Sequence, residues 1–193
     1  MENVEFSPEL DRLRTASVKL IQGDERYMEL VMHWMDACGS IIRPMLRGKA
    51  TAEETKMIIL IKELINSTAT REEVTLYRGL NGVFATHLLA SAQAGYSFDR
   101  ASVQSFTYGK DIALGFTDEE AGCCLLEITI PIGTPIFYIS SWEAINEGDA
   151  ARSEQEFIVP PGRIVFTEVH REEESTVITG TFLATEWPPL LLK

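Results

Sequence analysis

The sequence is short of cysteine, of positive charge and of long apolar runs, and each shortage argues against a class of function. Its 193 residues include three cysteines, Cys38, Cys123 and Cys124. The count is odd, two are adjacent, and no C-x-x-C pair or histidine cluster accompanies them. This argues against a zinc site or a disulfide framework and for reduced, buried thiols; no metal is expected. Lysine and arginine number 17 against 29 aspartates and glutamates, for a net charge of -12. Affinity for nucleic acid comes largely from cations that neutralise phosphates, so a nucleic-acid partner is not expected. An acidic surface suits a basic protein partner instead. No apolar run reaches the ~18–20 residues of a membrane helix. Met57 to Ile61 is flanked by lysines, and the closing Leu190-Leu191-Leu192 is shorter still. The start, Met1 to Glu5, lacks the basic and apolar parts of a secretory signal, so a cytoplasmic setting is expected. Nor does a G-x-G-x-x-G follow any apolar run, which argues against a Rossmann site.

What is present divides by texture. The first 70 residues read as helices. Ser7-Pro8-Glu9 is a start signal, an N-cap followed by proline at the first helical position. A second helix is expected from Asp24 to Ala37, with Leu30, Val31, Trp34 and Met35 as core and Gly39 as the stop. A third begins at Thr51, where Glu54 completes a capping box. His33, alone among apolar residues, reads as structural. From Val74 the pattern turns to short strands: Val74 to Tyr77, Val103 to Thr107, Cys124 to Ile130, Pro135 to Ile139, Gln155 to Val159, Ile164 to Val169 and Val177 to Leu183. Helices are expected at Gly82 to Ala94 and Asp111 to Phe116, the latter with Ala113 and Phe116 inward. Gly180 inside a strand pattern suggests a bulge, and Arg171 to Ser175 a solvated hairpin turn. Helices first and strands after predict a single α+β domain, with a helical part over 1–70 and a mixed core over 74–185.

Three places could carry chemistry. Tyr77-Arg78-Gly79 ends a predicted strand, with a guanidinium suited to a phosphate and a glycine that lets a ligand approach the backbone. Ser105-Phe106-Thr107 puts two hydroxyls on one strand face, ahead of the short helix. Glu154-Gln155-Glu156 opens an apolar strand with two carboxylates on one face, and like charges so placed cost energy unless a ligand or cation uses them. Phe157 and Val159 take the opposite, core face. Each alone is better read as ordinary surface or strand-end chemistry.

Their order and spacing are more specific. With Val159-Pro160-Pro161-Gly162 following, the chain resembles the Arg–Ser–Glu class of mono-ADP-ribosyltransferases over roughly Val74 to Val169, nearest the small phage enzymes of the Mod type that modify arginine. Phe106-Thr107 departs from the family's usual pattern but keeps the second hydroxyl. The resemblance implies a split pair of β-sheets gripping NAD, which is the substrate. It implies that Arg78 holds an NAD phosphate and that the Gly79 backbone holds the nicotinamide amide. Ser105 would orient Glu156, which would hydrogen-bond the ribose. Tyr77, Thr107 and Phe116 would complete the NAD site; Tyr77, Tyr108 and Phe116 could stack on nicotinamide or pack in the core, with core favoured for Phe116. Glu154 would position and deprotonate an acceptor arginine, with Trp142, in the loop Ser140 to Asp149, as a candidate acceptor contact. The implied partner is a host protein, for instance of the transcription or translation machinery. A toxin or effector, an NAD glycohydrolase and a non-catalytic binding module are the alternatives.

Overall fold

The structure is a computed structural model, which describes residues 7–117, 123–139, 156–172, 175–189 and 191–192. Glu154, Gln155 and the Ser140 to Asp149 loop with Trp142 lie outside these residues.

The helical part begins as the sequence predicts. Helix α1 (Pro8–Gly23) has proline in its first turn, and the Ser7 side chain accepts from the Leu10 N–H at 3.3 Å. Helix α2 (Glu25–Ala37) is capped by Asp24. The chain does not stop at Gly39. Cys38 stays right-handed helical, and helix α3 (Gly39–Arg47) follows at once. Gly48, at φ 63°, supplies the left-handed stop expected of Gly39. After strand β1 (Lys49–Ala50), helix α4 (Ala52–Asn66) carries the expected capping box. The Glu54 N–H donates to the Thr51 hydroxyl, and the Thr51 N–H donates to the Glu54 carboxylate.

Strand β2 (Val74–Leu80) is longer than expected and runs through Arg78. Helix α5 (Gly82–Ser91) ends three residues early, because Ala92 is already extended. Strand β3 (Ser97–Arg100), absent from the sequence reading, precedes β4 (Gln104–Thr107) and the short helix α6 (Lys110–Leu114). Then come β5 (Cys124–Ile130), β6 (Phe137–Ile139), β7 (Glu156–Val159), β8 (Gly162–Arg171) and β9 (Thr176–Ala184). The closing β10 (Leu191–Leu192) lies parallel to β1.

Strands β2 to β9 form one sheet in the order β3-β8-β9-β5-β2-β4-β7-β6. Its β5–β9 pair is parallel and the rest are antiparallel, so the sheet is mixed, as an α+β domain predicts. The β2–β4 junction differs from the others. Its register is a single pair, Tyr77 against Thr107, whereas β2 and β5 are paired along seven. The sheet therefore divides there into a five-stranded and a three-stranded part. Gly180 marks a bulge as expected, with the register shifting between Phe166 and Glu168 on the facing strand. A Cβ on Gly180 would lie 2.8 Å from the Val165 carbonyl oxygen.

Two large cores flank the sheet. The first joins α1 and α5 to Leu76, Phe106, Tyr138, Phe157 and Val159. The second joins the helical part to Phe137, Ile139 and Ile158. Strands β6 and β7 are thus buried on both faces. Phe157 and Val159 face a core as expected. The Glu156 face, however, is not an open strand surface, because its neighbour Ile158 packs against the helices.

Candidate active site

A cleft of about 460 Å³ opens at the β2–β4 junction. It is lined by Tyr77, Arg78, Gly79, Ser105, Thr107, Phe116 and Glu156, all named for the site by the sequence reading, but not by Tyr108. Residues separated by nearly eighty positions meet there because β4 lies between β2 and β7.

Arg78 is not at a strand tip. It sits within β2, on the register face of Leu76 and Leu80, and its Nη1 donates to the Ser105 carbonyl at 3.1 Å. This bond ties β2 to β4 where backbone pairing is sparse. Burial pushes the Arg78 guanidinium down to about 10, with the positive charge of Arg100 adding to the effect and the Glu156 carboxylate and Cys38 opposing it. At neutral pH Arg78 is still a cation.

Gly79 has a packing reason to be glycine. A Cβ there would fall 1.9 Å from the Ala113 carbonyl oxygen of α6. Helix α6 also places Ala113 inward, in a small cluster with Leu125 and Val177 against which Tyr77 packs. Burial raises the Tyr77 hydroxyl, Glu127 adds to the rise and Lys110 opposes it. Phe116 departs from expectation. Gly115 caps α6, so Phe116 lies beyond the helix, 46% exposed at the cleft wall, with its carbonyl accepting from the Asn81 side chain at 3.1 Å. The core preference for Phe116 is overturned. Tyr108 packs in part against the first core.

Across the β4–β7 pair, Thr107 is directly opposite Glu156, and Ser105 is opposite Ile158. Ser105 and Thr107 therefore share the face of Glu156, as their spacing predicts. The Thr107 hydroxyl also accepts from the Gly109 N–H at 3.4 Å. The Glu156 Oε2 accepts a hydrogen bond from the indole Nε1 of Trp34, on α2, at 3.1 Å.

Arg100 and Trp34 are two residues at the site that sequence reasoning missed as such, and Asn81 and Phe84 of the cleft wall were not named either. Arg100 ends β3, lines the cleft, and stacks its guanidinium over the rings of Phe84 at 5.0 Å and Phe98 at 5.7 Å. Burial lowers its proton affinity. Among the described residues, no carboxylate forms an ion pair with Arg78 or Arg100. Two partly desolvated cations in one cleft repel each other, and an anionic group between them would relieve that repulsion. A dinucleotide's pyrophosphate fits this donor set.

No protein-family profile and no curated relative matches the sequence. Solved structures do match. C3stau2 from S. aureus, solved with NAD, is 15% identical, with 96% of this chain and 99% of that chain aligned at a TM-score of 0.71. An ADP-ribosyltransferase from Clostridium botulinum is 11% identical over 94% and 98% of the two chains, with a TM-score of 0.70. The ADP-ribosyltransferase Vis from Vibrio splendidus, in complex with agmatine, is 16% identical over 94% and 88%, with a TM-score of 0.59. This chain has the ADP-ribosyltransferase fold. The division of the sheet at the β2–β4 junction is the split that the resemblance implied, and the cleft lies along it.

Proposed function

We propose that the protein is a mono-ADP-ribosyltransferase, which splits NAD and transfers ADP-ribose to a protein side chain, with arginine as the acceptor. The observation that carries this reading is the convergence of Arg78, Arg100, Ser105, Thr107 and Glu156 on one cleft. In it, the two arginines hold the pyrophosphate of NAD and the Gly79 backbone meets the nicotinamide amide. Breaking the glycosidic bond develops positive charge on the ribose, and the Glu156 carboxylate stabilises that charge in the transition state. Phe116, exposed at the cleft wall, offers a ring face to the nicotinamide.

The arginine acceptor rests on Glu154, two residues before Glu156 in the sequence. A free guanidinium, with a pKa above ~12, is a poor nucleophile, and a base aimed at it removes that obstacle. The Vis structure with agmatine, itself a small guanidine, supports the same acceptor chemistry. Of the two settings, phage product or toxin, the description of Vis as a toxin favours the second. The acceptor is then a protein in the cytoplasm of the target cell, drawn from a set that the net charge of -12 biases toward basic surfaces.

The test is incubation of the purified protein with labelled NAD and a cell lysate. Discrete labelled bands are expected with the wild type and none with Glu156→Ala. Glu154→Ala should lose the protein labelling while still hydrolysing NAD. Labelling that persists unchanged in Glu154→Ala would show that the acceptor is not arginine or that Glu154 does not serve it.

A further inference from the structure

We propose that Trp34 is a positioning residue for the Glu156 carboxylate, so that the helical part sets the geometry of the reacting centre. The inference rests on the transferase reading above. Trp34 comes from α2 and is only 2% exposed, in the core that also holds Ile158, Ile139 and Ile58. Its Nε1–H donates to Glu156 Oε2 at 3.1 Å across 122 positions of sequence. An indole N–H only donates and never ionises, while an ionised carboxylate only accepts. The bond therefore favours the charged carboxylate and fixes one of its two oxygens. A buried indole has few rotamers open to it, so the donor is held by packing before any substrate arrives.

Strand pairing alone does not fix the carboxylate in this way. Register places Thr107 opposite Glu156 and sets the backbone, but the χ angles of a glutamate remain to be fixed by what its oxygens touch. Trp34 approaches from the helical layer, on the face where Ile158 is already sealed by α2 and its neighbours. A carboxylate that must meet a developing charge gains from being held beforehand, since nothing then has to reorganise as the charge forms.

The test compares wild type with Trp34→Phe, which keeps an aromatic ring and removes the N–H. Initial rates of nicotinamide release give kcat and the KM for NAD, and thermal unfolding checks the fold. We expect kcat to fall about tenfold or more with KM within about twofold, the split expected when an interaction is made chiefly in the transition state. In parallel, the indole N–H resonances of the three tryptophans are recorded by NMR. The one missing in Trp34→Phe should shift in Glu156→Gln. An unchanged kcat in a wild-type-stable Trp34→Phe would overturn the role, as would a rise in KM that accounts for the whole loss. If Trp34→Phe folds poorly, the Glu156→Gln spectrum decides, and three unmoved indole signals overturn the proposal. A wild type that releases no nicotinamide overturns the transferase reading and this role with it, while a shifted indole signal would show that the contact itself exists.

Discussion

At the scale of single residues, the site combines groups held for packing with groups held for charge. Gly79 belongs to the first kind. From sequence, the position beside Arg78 is a place for close approach of a ligand, but the space over its Cα is taken by the Ala113 carbonyl. Gly79→Ala must therefore push α6 away from β2. We expect a loss of at least about 2 kcal/mol in stability, the upper part of the range for overpacking a tight contact, measured as a lower urea midpoint at unchanged slope. Stability equal to wild type, with NAD binding alone impaired, would return the glycine to the ligand. Arg100 belongs to the second kind. It was not legible because nothing local marks it: it ends a strand of alternating exposure, Ser97–Arg100, with Phe98 as its one large apolar residue. Its place in the cleft depends on pairing with β8, more than sixty residues on.

At the scale of elements, the strongest local signals are those the structure keeps. The Ser7 cap, the Thr51–Glu54 capping box and the apolar run of β5 depend only on neighbours in sequence, and each is where the pattern puts it. The signals that failed depended on something farther away. Gly39 reads as a helix stop, but Cys38 keeps helical geometry and the turn is made nine residues later. Phe116 reads as part of α6, but that helix is closed by Gly115. One joint between elements makes a separate prediction. The buried Glu9 of α1 pairs with Arg12 at 2.7 Å and accepts from the Arg71 N–H at 2.5 Å, while Arg12 reaches the Ala69 carbonyl. This fastens α1 to the segment that leads into β2 and Arg78. The Arg12 hydrogen bond, with help from the Arg71 and Glu72 backbone, holds the Glu9 carboxyl down at about 2, against desolvation. A carboxyl whose folded value lies below its unfolded one stabilises the fold above the unfolded value, near 4.5. That contribution, on the order of 3 kcal/mol, is lost as pH falls from about 4.5 to about 2. Glu9→Gln should lower stability at neutral pH and flatten its decline across that window, as followed by urea denaturation at a series of pH values. A decline as steep as wild type would mean that Glu9 does not carry the acid sensitivity.

At the scale of the whole molecule, the helical part and the sheet are not independent. Val18 of α1 packs against both large cores, and the Tyr138 N–H of β6 donates to the Ser17 hydroxyl of α1 at 3.0 Å. The two-part sheet follows from this. Strands β6 and β7 are covered by helices on the face that carries Glu156, while β4 lines the cleft on that face with Ser105 and Thr107. The order of the three motifs was legible because each is a few consecutive residues. What joins them was not, since the bond from Arg78 to the Ser105 carbonyl and the bond from Trp34 to Glu156 form only once the strands and helices are assembled. The charge balance was legible at once and bears on association with partners rather than on the fold. The central claim, that this cleft cleaves NAD, is tested most directly by release of nicotinamide from NAD without any acceptor protein, with wild type beside Glu156→Ala. The account predicts slow release by the wild type and loss of that release in a folded Glu156→Ala. Equal release by both would contradict it.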